Sequence, residues 1–327
     1  MRIAITGANG HVGANLCRLL IQDGHYVRPF LFKDSKALHG LNLIPVKGNV
    51  LDKESLRNLI QGCDIVFHLA AQISISANRF GNVYDINVHG TDNVIDVSLE
   101  YGVKRLIHFS SIHAFSQFPL DSPLDENRDF IRTSGHKYDI SKAESETLIK
   151  NAVCNKGLNA IILNPTSIIG INDFKPSLMG QVLIKLFNRS LPALVPGGYD
   201  WVDVRDVCLA AVNAMSMGNI GENYILSGHW VSLKKISDLI RNLTGIKATR
   251  IICPSILAKM AVPFFTLKSK LDRIPLLYTF ESLDILKKNN QYINSNKAQS
   301  TLDYNVRPFN ETILDTFQWF SRNGYLK

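Results

Sequence analysis

Short hydrophobic runs alternate with amphipathic segments through the first half of the chain. The hydrophobic runs predict strands at 2–6, 26–32, 65–70, 105–110 and 159–163, and the amphipathic segments predict helices at 15–23, 55–61, 84–101 and 137–155. This alternation is typical of βαβ units and a parallel sheet. With right-handed crossovers the predicted fold class is α/β, a Rossmann-type doubly wound parallel sheet whose ligand site lies at the carboxyl ends of the strands.

The pattern becomes less regular after Pro165, where prolines divide the chain into shorter elements. Helices are predicted at 206–215, 232–244 and 310–320, and a strand is predicted at 224–227. We interpret residues 1–165 as the Rossmann domain and residues 166–327 as a smaller substrate-binding lobe. Segments near 200–228 are expected to return to the first sheet, so that the two domains interleave.

The most apolar stretch lies at 251–267. Because Pro254, Lys259 and Pro263 interrupt it, it does not predict a membrane span. This stretch and the apolar segment at 274–280 are expected to belong to the core, with the wall of an apolar pocket as the alternative. Contact with a membrane interface is a less favoured third interpretation.

The composition is that of an ordinary globular protein, with 327 residues, of which 46% are hydrophobic and 20% charged. The formal net charge is +8, but no run of Lys and Arg with interleaved aromatic residues accompanies it, so nucleic-acid binding is not expected. The five cysteines are far apart and form no Cys-x-x-Cys motif, so neither a disulfide framework nor a metal site is predicted. The chain begins with a strand pattern instead of a signal peptide, which makes a cytoplasmic location the expectation.

A glycine-rich turn follows the first predicted strand. Gly7 permits the tight turn, Gly10 lets the backbone approach a pyrophosphate, and Gly13 lets the helix pack closely on the strand. The N-terminus of the following helix offers free N–H groups and a partial positive charge to phosphates. The spacing is Gly-x-x-Gly-x-x-Gly and departs from the general Gly-x-Gly-x-x-Gly fingerprint. The turn nevertheless predicts a dinucleotide site.

The end of the second predicted strand normally decides between NAD and NADP, since an acid there binds the ribose 2′-hydroxyl and a base accommodates a 2′-phosphate. The chain has Phe32, Lys33 and Asp34 at this point. Lys33 favours NADP and Asp34 favours NAD. NADP(H) is the preferred prediction, with NAD as the alternative.

Tyr138 and Lys142 are four residues apart on one predicted helix and therefore share a face. An ammonium at about 4 Å attracts a phenolate by about 4 kcal/mol at an effective dielectric near 20, which lowers the tyrosine pKa. A tyrosine with a lowered pKa can exchange a proton with a substrate oxygen. Ser111, at the end of the strand 105–110, can hydrogen-bond the same oxygen, and Ser110 is the competing candidate.

Two further observations narrow the chemistry. His108, His113 and His136 lie close to these residues in sequence, and a structural or surface role is favoured for them. The chain has no Gly-x-Ser-x-Gly elbow, which argues against a serine hydrolase.

The ordered set of motifs resembles the extended short-chain dehydrogenase/reductase family. The matching segments are TGANGHVG at 6–13, HLAA at 68–71, NVHGT at 87–91, FSS at 109–111, YDISK at 138–142, NP at 164–165, WVDVRDV at 201–207, SNKA at 295–298 and LDY at 302–304. The match covers nearly the whole chain. It implies an NAD(P)-binding domain and a catalytic triad of Ser111, Tyr138 and Lys142.

The resemblance also implies a set of cofactor contacts. They are Gly7, Asn9, Gly10, His11, Val12, Lys33, Asn49, Val50, Ala70, Ala71, Asn87, Ser110, Tyr138, Lys142 and Pro165. Pro165 is expected near the nicotinamide, and Ala70 and Ala71 beside the cofactor ribose. Where the family usually has Gly-Asp near the adenine, this chain has Gly48 and Asn49, so the strength of that contact is left open.

Within the family, the chain is most similar to dihydroflavonol reductase-like and hydroxysteroid dehydrogenase-like members. This similarity implies a small-molecule substrate and either reduction of a ketone or aldehyde or oxidation of a secondary alcohol. A homodimer is expected from the family alone. The alternatives are a nucleotide-sugar epimerase with tightly bound NAD and a non-catalytic dinucleotide-binding sensor. An epimerase needs cations for a substrate diphosphate, for which Lys185, Arg189, Arg250 and Arg273 are available but not grouped. Dehydration is not expected, because no acid pair follows Ser111.

Overall fold

The computed structural model describes residues 1–33, 35–73, 81–133, 136–258, 260, 262, 286 and 289–327. The strands among them are β1 Arg2–Thr6, β2 Tyr26–Leu31, β3 Val46–Lys47, β4 Ile65–His68, β5 Arg105–Phe109, β6 Ala160–Pro165, β7 Ser167–Ile169, β8 Gly198–Asp203, β9 Asn223–Leu226 and β10 His229–Ser232. The helices are α1 His11–Gln22, α2 Lys53–Ile60, α3 Gly81–Tyr84, α4 Gly90–Glu100, α5 Lys137–Lys156, α6 Leu178–Phe187, α7 Val204–Asn213, α8 Leu233–Thr244, α9 Asn296–Leu302 and α10 Phe309–Arg322. The described strands form two sheets.

Within the described residues, seven strands form one parallel sheet in the order β3-β2-β1-β4-β5-β6-β9. The chain begins at the centre with β1, extends to one edge through β2 and β3, and then returns to build the other half from β4. The direction of winding therefore reverses between β1 and β4. A ligand crevice is expected at the carboxyl ends of these two strands, where the chain order reverses.

Alternation of side chains along the strands gives the large sheet two apolar faces. Ile5 and Ile107 belong to a core cluster that includes residues of α1 and α7. Val66 and Leu106 belong to a second cluster that includes residues of α2, α4 and α5. Helices on both faces make the sheet doubly wound, which confirms the predicted α/β Rossmann-type fold class.

The second sheet of the described chain has the order β10-β8-β7. The segment containing Trp201 was expected to return to the large sheet, but it forms β8 and pairs with β7 in parallel and β10 antiparallel. The chain returns to the large sheet with β9, beside β6. Between β9 and β10 the chain passes close to the backbone of β8, which requires glycine at position 228, because a Cβ on Gly228 would lie 1.9 Å from the carbonyl oxygen of Trp201.

The second sheet has its own core. Trp201 and Val231 pack in a cluster with Leu186, Ile236 and Phe320, which come from α6, α8 and α10. Burying side chains of this size contributes on the order of 2 kcal/mol each. This cluster supports the lobe that faces the ends of the large sheet's strands.

Two predicted helices have different boundaries in the structure. The first begins at His11, directly after Gly10, because the glycine turn leads into the helix without an intervening loop. The predicted helix 84–101 is interrupted by a π-helical turn, Asp85–His89, between α3 and α4. Such wide turns are frequent at functional sites.

The apolar segment 251–267 is only partly described. Ile251, Ile256 and Leu257 are exposed, whereas Val262 is buried. The segment 274–280 lies outside the described residues. In the part of the chain that the structure describes, no helix has both the length and the apolar character needed to cross a membrane.

Candidate active site

The glycine turn between β1 and α1 has almost no free space. Gly7 has φ +70°, and a Cβ there would lie 2.7 Å from the backbone nitrogen of Ala70. The N–H of Gly10 donates to the carbonyl oxygen of Gly7 at 3.0 Å, and a Cβ on Gly13 would lie 2.3 Å from the same oxygen. The turn thus holds the N-terminus of α1 against the ends of β1 and β4, where its N–H groups can bind phosphate.

Gly13→Ala is expected to push α1 away from the turn and lower the free energy of unfolding by about 1–3 kcal/mol. Gly10→Ala is the matched comparison, because its Cβ would lie 3.3 Å from the Gly7 carbonyl oxygen and meet little else. We expect it to weaken dinucleotide binding while leaving stability nearly unchanged. Chemical denaturation and fluorescence titration with NADPH measure the two effects. A Gly13→Ala protein as stable as the wild type contradicts the close packing described here.

His11 was expected to contact a pyrophosphate, and its ring has another partner. Its Nε2 donates to the carbonyl oxygen of Ile171 at 3.0 Å, and Asn15 Nδ2 donates to the same oxygen at 3.0 Å. Asn172 Nδ2 donates to Asn15 Oδ1 at 2.9 Å. The first turn of α1 is therefore tied to the loop that follows β7 of the second sheet, and the backbone of His11 is the part left for a phosphate contact.

The residues predicted for the nucleoside end of the site lie outside the main cavity. Asn9 Nδ2 donates to the backbone oxygen of Lys33 at 3.4 Å, and the exposed ammonium of Lys33 lies 5.7 Å from the ring centre of Phe32. Asn49 is half-buried and caps its own turn, with Oδ1 accepting the N–H of Leu51 at 3.1 Å. Val50 is buried, and Asp34 lies outside the described residues.

Ser111 is held directly after β5 in a short 3-10 turn, Ile112–Ala114. Its Oγ accepts the backbone N–H of His113 at 3.2 Å and its side chain is hydrogen-bonded to the hydroxyl of Tyr138. A hydroxyl has one hydrogen to donate, so Ser111 can donate it to the oxygen of Tyr138 or to an oxygen in the cavity. The side chain of Ser110 instead lies beside the buried carboxyl group of Glu146.

Tyr138 does not have the lowered pKa that its spacing from Lys142 suggested. Burial raises the pKa of Tyr138 to about 12; the hydrogen bond with Ser111 opposes this shift and the carboxylate of Asp139 adds to it. The ammonium of Lys142 donates to the carbonyl oxygen of Phe109 at 2.9 Å, and that contact holds it to β5. The protein by itself therefore keeps Tyr138 protonated at neutral pH, as a proton donor.

Lys142 is buried on the inner face of α5. Burial lowers the pKa of Lys142 to about 8, and the carboxylate of Glu146 one turn further along the helix opposes this shift. Lys142 therefore loses its proton at a pH close to the physiological range. Neighbouring charges can then change the fraction of Lys142 that is protonated.

Asn87, predicted as a cofactor contact, lies in the π-helical turn and links two elements of the site. Its Oδ1 accepts the N–H of Gln72 at 2.8 Å, and its Nδ2 donates to Ser141 Oγ at 2.9 Å. It therefore fixes the segment after β4 to α5. The N–H of Ala70 donates to Thr6 Oγ1 at 3.2 Å, which binds the end of β4 to the end of β1.

A cavity of about 610 Å³ lies at the carboxyl ends of the strands. The predicted residues that line it are Gly7, Gly10, His11, Val12, Ala71, Ser110, Ser111, Tyr138, Lys142 and Pro165. Those predicted residues that do not line it are Asn9, Lys33, Asn49, Val50, Ala70 and Asn87. The three predicted catalytic side chains thus share one cavity with the glycine turn.

The other wall of the cavity was not identified from the sequence. It is apolar and consists of Ile168, Met179, Val182, Tyr199, Leu233 and Leu286. The second sheet and the helices packed on it supply most of these residues. Their contribution depends on contacts between segments far apart in sequence, and the apolar face of α6 is the one local signal that could have indicated them.

A structural or surface role was expected for three histidines near the catalytic residues. Two of them, His113 and His136, line the cavity, whereas His108 is buried with its ring centre 5.3 Å from that of His68. Burial lowers the pKa of His113 to about 4, and the charge of His136 adds to this shift, so His113 is neutral at neutral pH. The described residues contain no group of His, Cys, Asp or Glu that could hold a metal ion.

The cations considered for a substrate diphosphate are not at the cavity. Lys185, Arg189 and Arg250 do not line it, and Arg273 lies outside the described residues. Arg250 forms an ion pair with Asp238 at 2.5 Å. Apart from Lys142, the cations among the described lining residues are Lys137 and Lys175.

A nicotinamide dinucleotide fits these residues. The turn, in which a Cβ on Gly7 or Gly13 would clash with backbone atoms, provides the phosphate cradle, and Lys142 and Pro165 line the same cavity. Lys142 could hold the ribose hydroxyls of such a cofactor, and the side chains of Tyr138 and Ser111 line the same cavity.

Comparison with known proteins agrees with this arrangement. Residues 3–227 match the NAD dependent epimerase/dehydratase family. Sterol demethylase protein B of Methylococcus capsulatus is 34% identical over 257 residues, which cover 78% of this chain and 78% of that protein. A putative dihydroflavonol 4-reductase of Synechocystis is 30% identical over 338 aligned positions, which cover 99% of this chain and 95% of that protein. Among solved structures, gox2253 has a TM-score of 0.84 at 28% identity and covers 100% of this chain and 99% of its own.

The Rossmann sheet, the phosphate turn and the shared cavity of Ser111, Tyr138 and Lys142 define the class of extended short-chain dehydrogenases/reductases. The match over more than half of the chain shows that it belongs to the NAD-dependent epimerase/dehydratase family. It is an NAD(P)-dependent oxidoreductase of this extended type.

Proposed function

We propose that the protein is an NADPH-dependent reductase that converts a ketone on a largely apolar skeleton to a secondary alcohol. The observation that carries this proposal is the shared cavity, which the side chains of Tyr138, Ser111 and Lys142 line together with the glycine turn and an apolar wall. Reduction of a ketone requires a proton donor at the carbonyl oxygen, and burial, which raises the pKa of Tyr138, favours the protonated hydroxyl.

The side chains have distinct roles in this reaction. The hydroxyl of Tyr138 donates its proton to the substrate oxygen, and the hydroxyl of Ser111 donates a hydrogen bond that orients the same oxygen. The ammonium of Lys142 stabilises the phenolate as it forms and holds the cofactor ribose. NADPH, when bound, supplies the hydride. Apolar side chains beside these groups lower the local dielectric, which strengthens their electrostatic interactions.

The apolar wall supports an apolar substrate. Ile168, Met179 and Val182 offer no hydrogen bonds, so this wall favours a hydrocarbon or aromatic skeleton by burial of apolar surface. The names of the two relatives, a sterol demethylase component and a dihydroflavonol reductase, refer to polycyclic or aromatic compounds and are consistent with this class.

For the cofactor, we propose that Lys33 binds the 2′-phosphate of NADPH. The residue is exposed at the end of β2, and its backbone is tied to the phosphate turn through Asn9. Lys33→Glu is expected to lower kcat/KM for NADPH relative to NADH by at least about tenfold, because a charge-assisted hydrogen bond is replaced by repulsion.

Lys104→Glu is the control for this change of charge. Lys104 lies just before β5, at the amino end of the sheet, and pairs with Asp64 at 2.8 Å. Its replacement is expected to leave the ratio of NADPH to NADH efficiency unchanged. An unchanged ratio in Lys33→Glu itself contradicts the assigned contact.

The test of the proposed function is a substrate panel. Polycyclic and aromatic ketones are incubated with NADPH, and UDP- and dTDP-sugars are assayed in parallel for epimerisation. We expect oxidation of NADPH with the apolar ketones only. Interconversion of a nucleotide sugar by protein that releases NAD on denaturation would support the epimerase instead. Cofactor binding without turnover on either panel would support the dinucleotide sensor.

A further inference from the structure

A carboxyl group lies beneath the site, and the mechanism above assigns it no role. Glu146 is on α5, one turn beyond Lys142, and its side chain is fully buried. Burying a carboxylate costs several kcal/mol unless hydrogen bonds and opposite charge compensate it. Burial raises the pKa of Glu146, and hydrogen bonds from neighbouring side chains and the charge of Lys150 oppose this shift.

Two amide groups bind the two oxygens of Glu146. Asn164 Nδ2 donates to Oε1 at 2.6 Å, and Asn223 Nδ2 donates to Oε2 at 2.5 Å. These asparagines lie on β6 and β9, neighbouring strands of the large sheet. Each oxygen of the buried carboxyl group therefore has an amide N–H donor.

The same contacts extend to the proposed catalytic serine. Asn164 Nδ2 also donates to the backbone oxygen of Ser111 at 3.1 Å, while Asn164 Oδ1 accepts from Asn223 Nδ2 at 2.9 Å. Glu146 thus fixes which way the amide of Asn164 faces. The amide in turn holds the backbone that positions Ser111 beside Tyr138.

The charge of Glu146 also acts on Lys142, since positions four residues apart share one helix face. The carboxylate opposes the effect of burial and raises the pKa of Lys142. The other titratable groups that face this pair are His68 on β4, His108 on β5 and Lys150 on α5. Burial lowers the pKa of both histidines, to about 3 for His68, so at neutral pH they add no charge.

We propose that Glu146 is a positioning residue that fixes Ser111 through Asn164 and acts on Lys142 from one helical turn away, and this inference rests on the proposed reductase function. Glu146 touches neither substrate nor cofactor in this arrangement. Its effect is exerted through the residues that do.

Glu146→Gln tests the proposal because it keeps the size of the side chain and removes the charge. We expect the decrease of kcat at alkaline pH to begin about one pH unit lower than in the wild type, which is about a fivefold loss of kcat at pH 8. The affinity for NADPH, measured by fluorescence at pH 6, should change less than about threefold. NMR of protein labelled with ¹³C at lysine Cε follows the titration of Lys142 directly, with Lys142→Met used for assignment.

Asp206→Asn is the matched control, since Asp206 is also a buried carboxylate, binds Arg307 at 2.7 Å and lies on α7 without lining the cavity. It is expected to lower stability and leave the pH profile of kcat unchanged. If Glu146→Gln does not fold, Asn223→Ala is the second variant, because it removes one hydrogen-bond donor to Glu146. We expect it to shift the pH profile of kcat in the same direction by a smaller amount. An unshifted pH profile and an unshifted Lys142 resonance overturn the proposal. Because the resonance is read without turnover, failure of the reductase assay does not decide this test.

Discussion

Tyr138→Phe is expected to lower kcat for ketone reduction by about 10²–10⁴-fold, the usual contribution of a positioned proton donor. The change removes one hydroxyl and leaves the ring in place. Its partner Ser111 is also bound to the N–H of His113 and therefore keeps its position. Stopped-flow measurement of NADPH oxidation reports the rate, and fluorescence titration is expected to show NADPH binding within about twofold of the wild type.

Tyr292→Phe is the control for loss of a tyrosine hydroxyl, because Tyr292 is exposed and does not line the cavity. It should retain wild-type activity. A Tyr138→Phe enzyme with more than about a tenth of the wild-type kcat would show that another group delivers the proton.

Lys142→Met is expected to affect both chemistry and binding. We expect kcat to fall by at least about 10²-fold, because the forming phenolate loses its ammonium in a buried site, and KM for NADPH to rise because the ribose loses a donor. The pH dependence of the wild type gives an independent measure. The pKa of Lys142 is lowered to about 8, so its charge is present below pH 8 and lost above it. The rate of reduction should therefore decrease as the pH rises through about 8.

Lys142→Arg separates charge from position. A guanidinium stays protonated at alkaline pH, so this variant is expected to have a lower kcat that no longer decreases near pH 8. A wild-type rate that is constant from pH 6 to 10, or a Lys142→Arg rate that still falls near pH 8, contradicts the assigned role of the lysine charge.

Local patterns were sufficient for the predictions about the phosphate turn and α5. Gly7, Gly10 and Gly13 follow β1 within a few residues, and the geometry they require is a property of the local backbone. Tyr138 and Lys142 needed only the period of one helix to be placed on the same face. For the same reason six of the seven strands of the large sheet among the described residues were predicted, and the two-residue strand β3 was not.

The features that sequence reasoning missed depend on distant parts of the chain. The pKa of Tyr138 was predicted from one neighbour, but burial determines it, and Lys142 binds a carbonyl oxygen 33 residues away. Glu146 meets Asn223 across 77 residues. The sequence of β8 suggested a strand of the large sheet, but in the structure β8 pairs with β7 and β10 of the second sheet.

The fate of a labelled hydride tests the central proposal most directly. The protein is incubated with an apolar ketone and NADPH that carries deuterium at C4 of the reduced nicotinamide, and the products are analysed by mass spectrometry. The proposed function predicts an alcohol with one deuterium at the former carbonyl carbon, one equivalent of NADP⁺, and loss of this product in Tyr138→Phe. Unlabelled ketone recovered with intact NADPH, together with NAD released from the denatured protein, would contradict it.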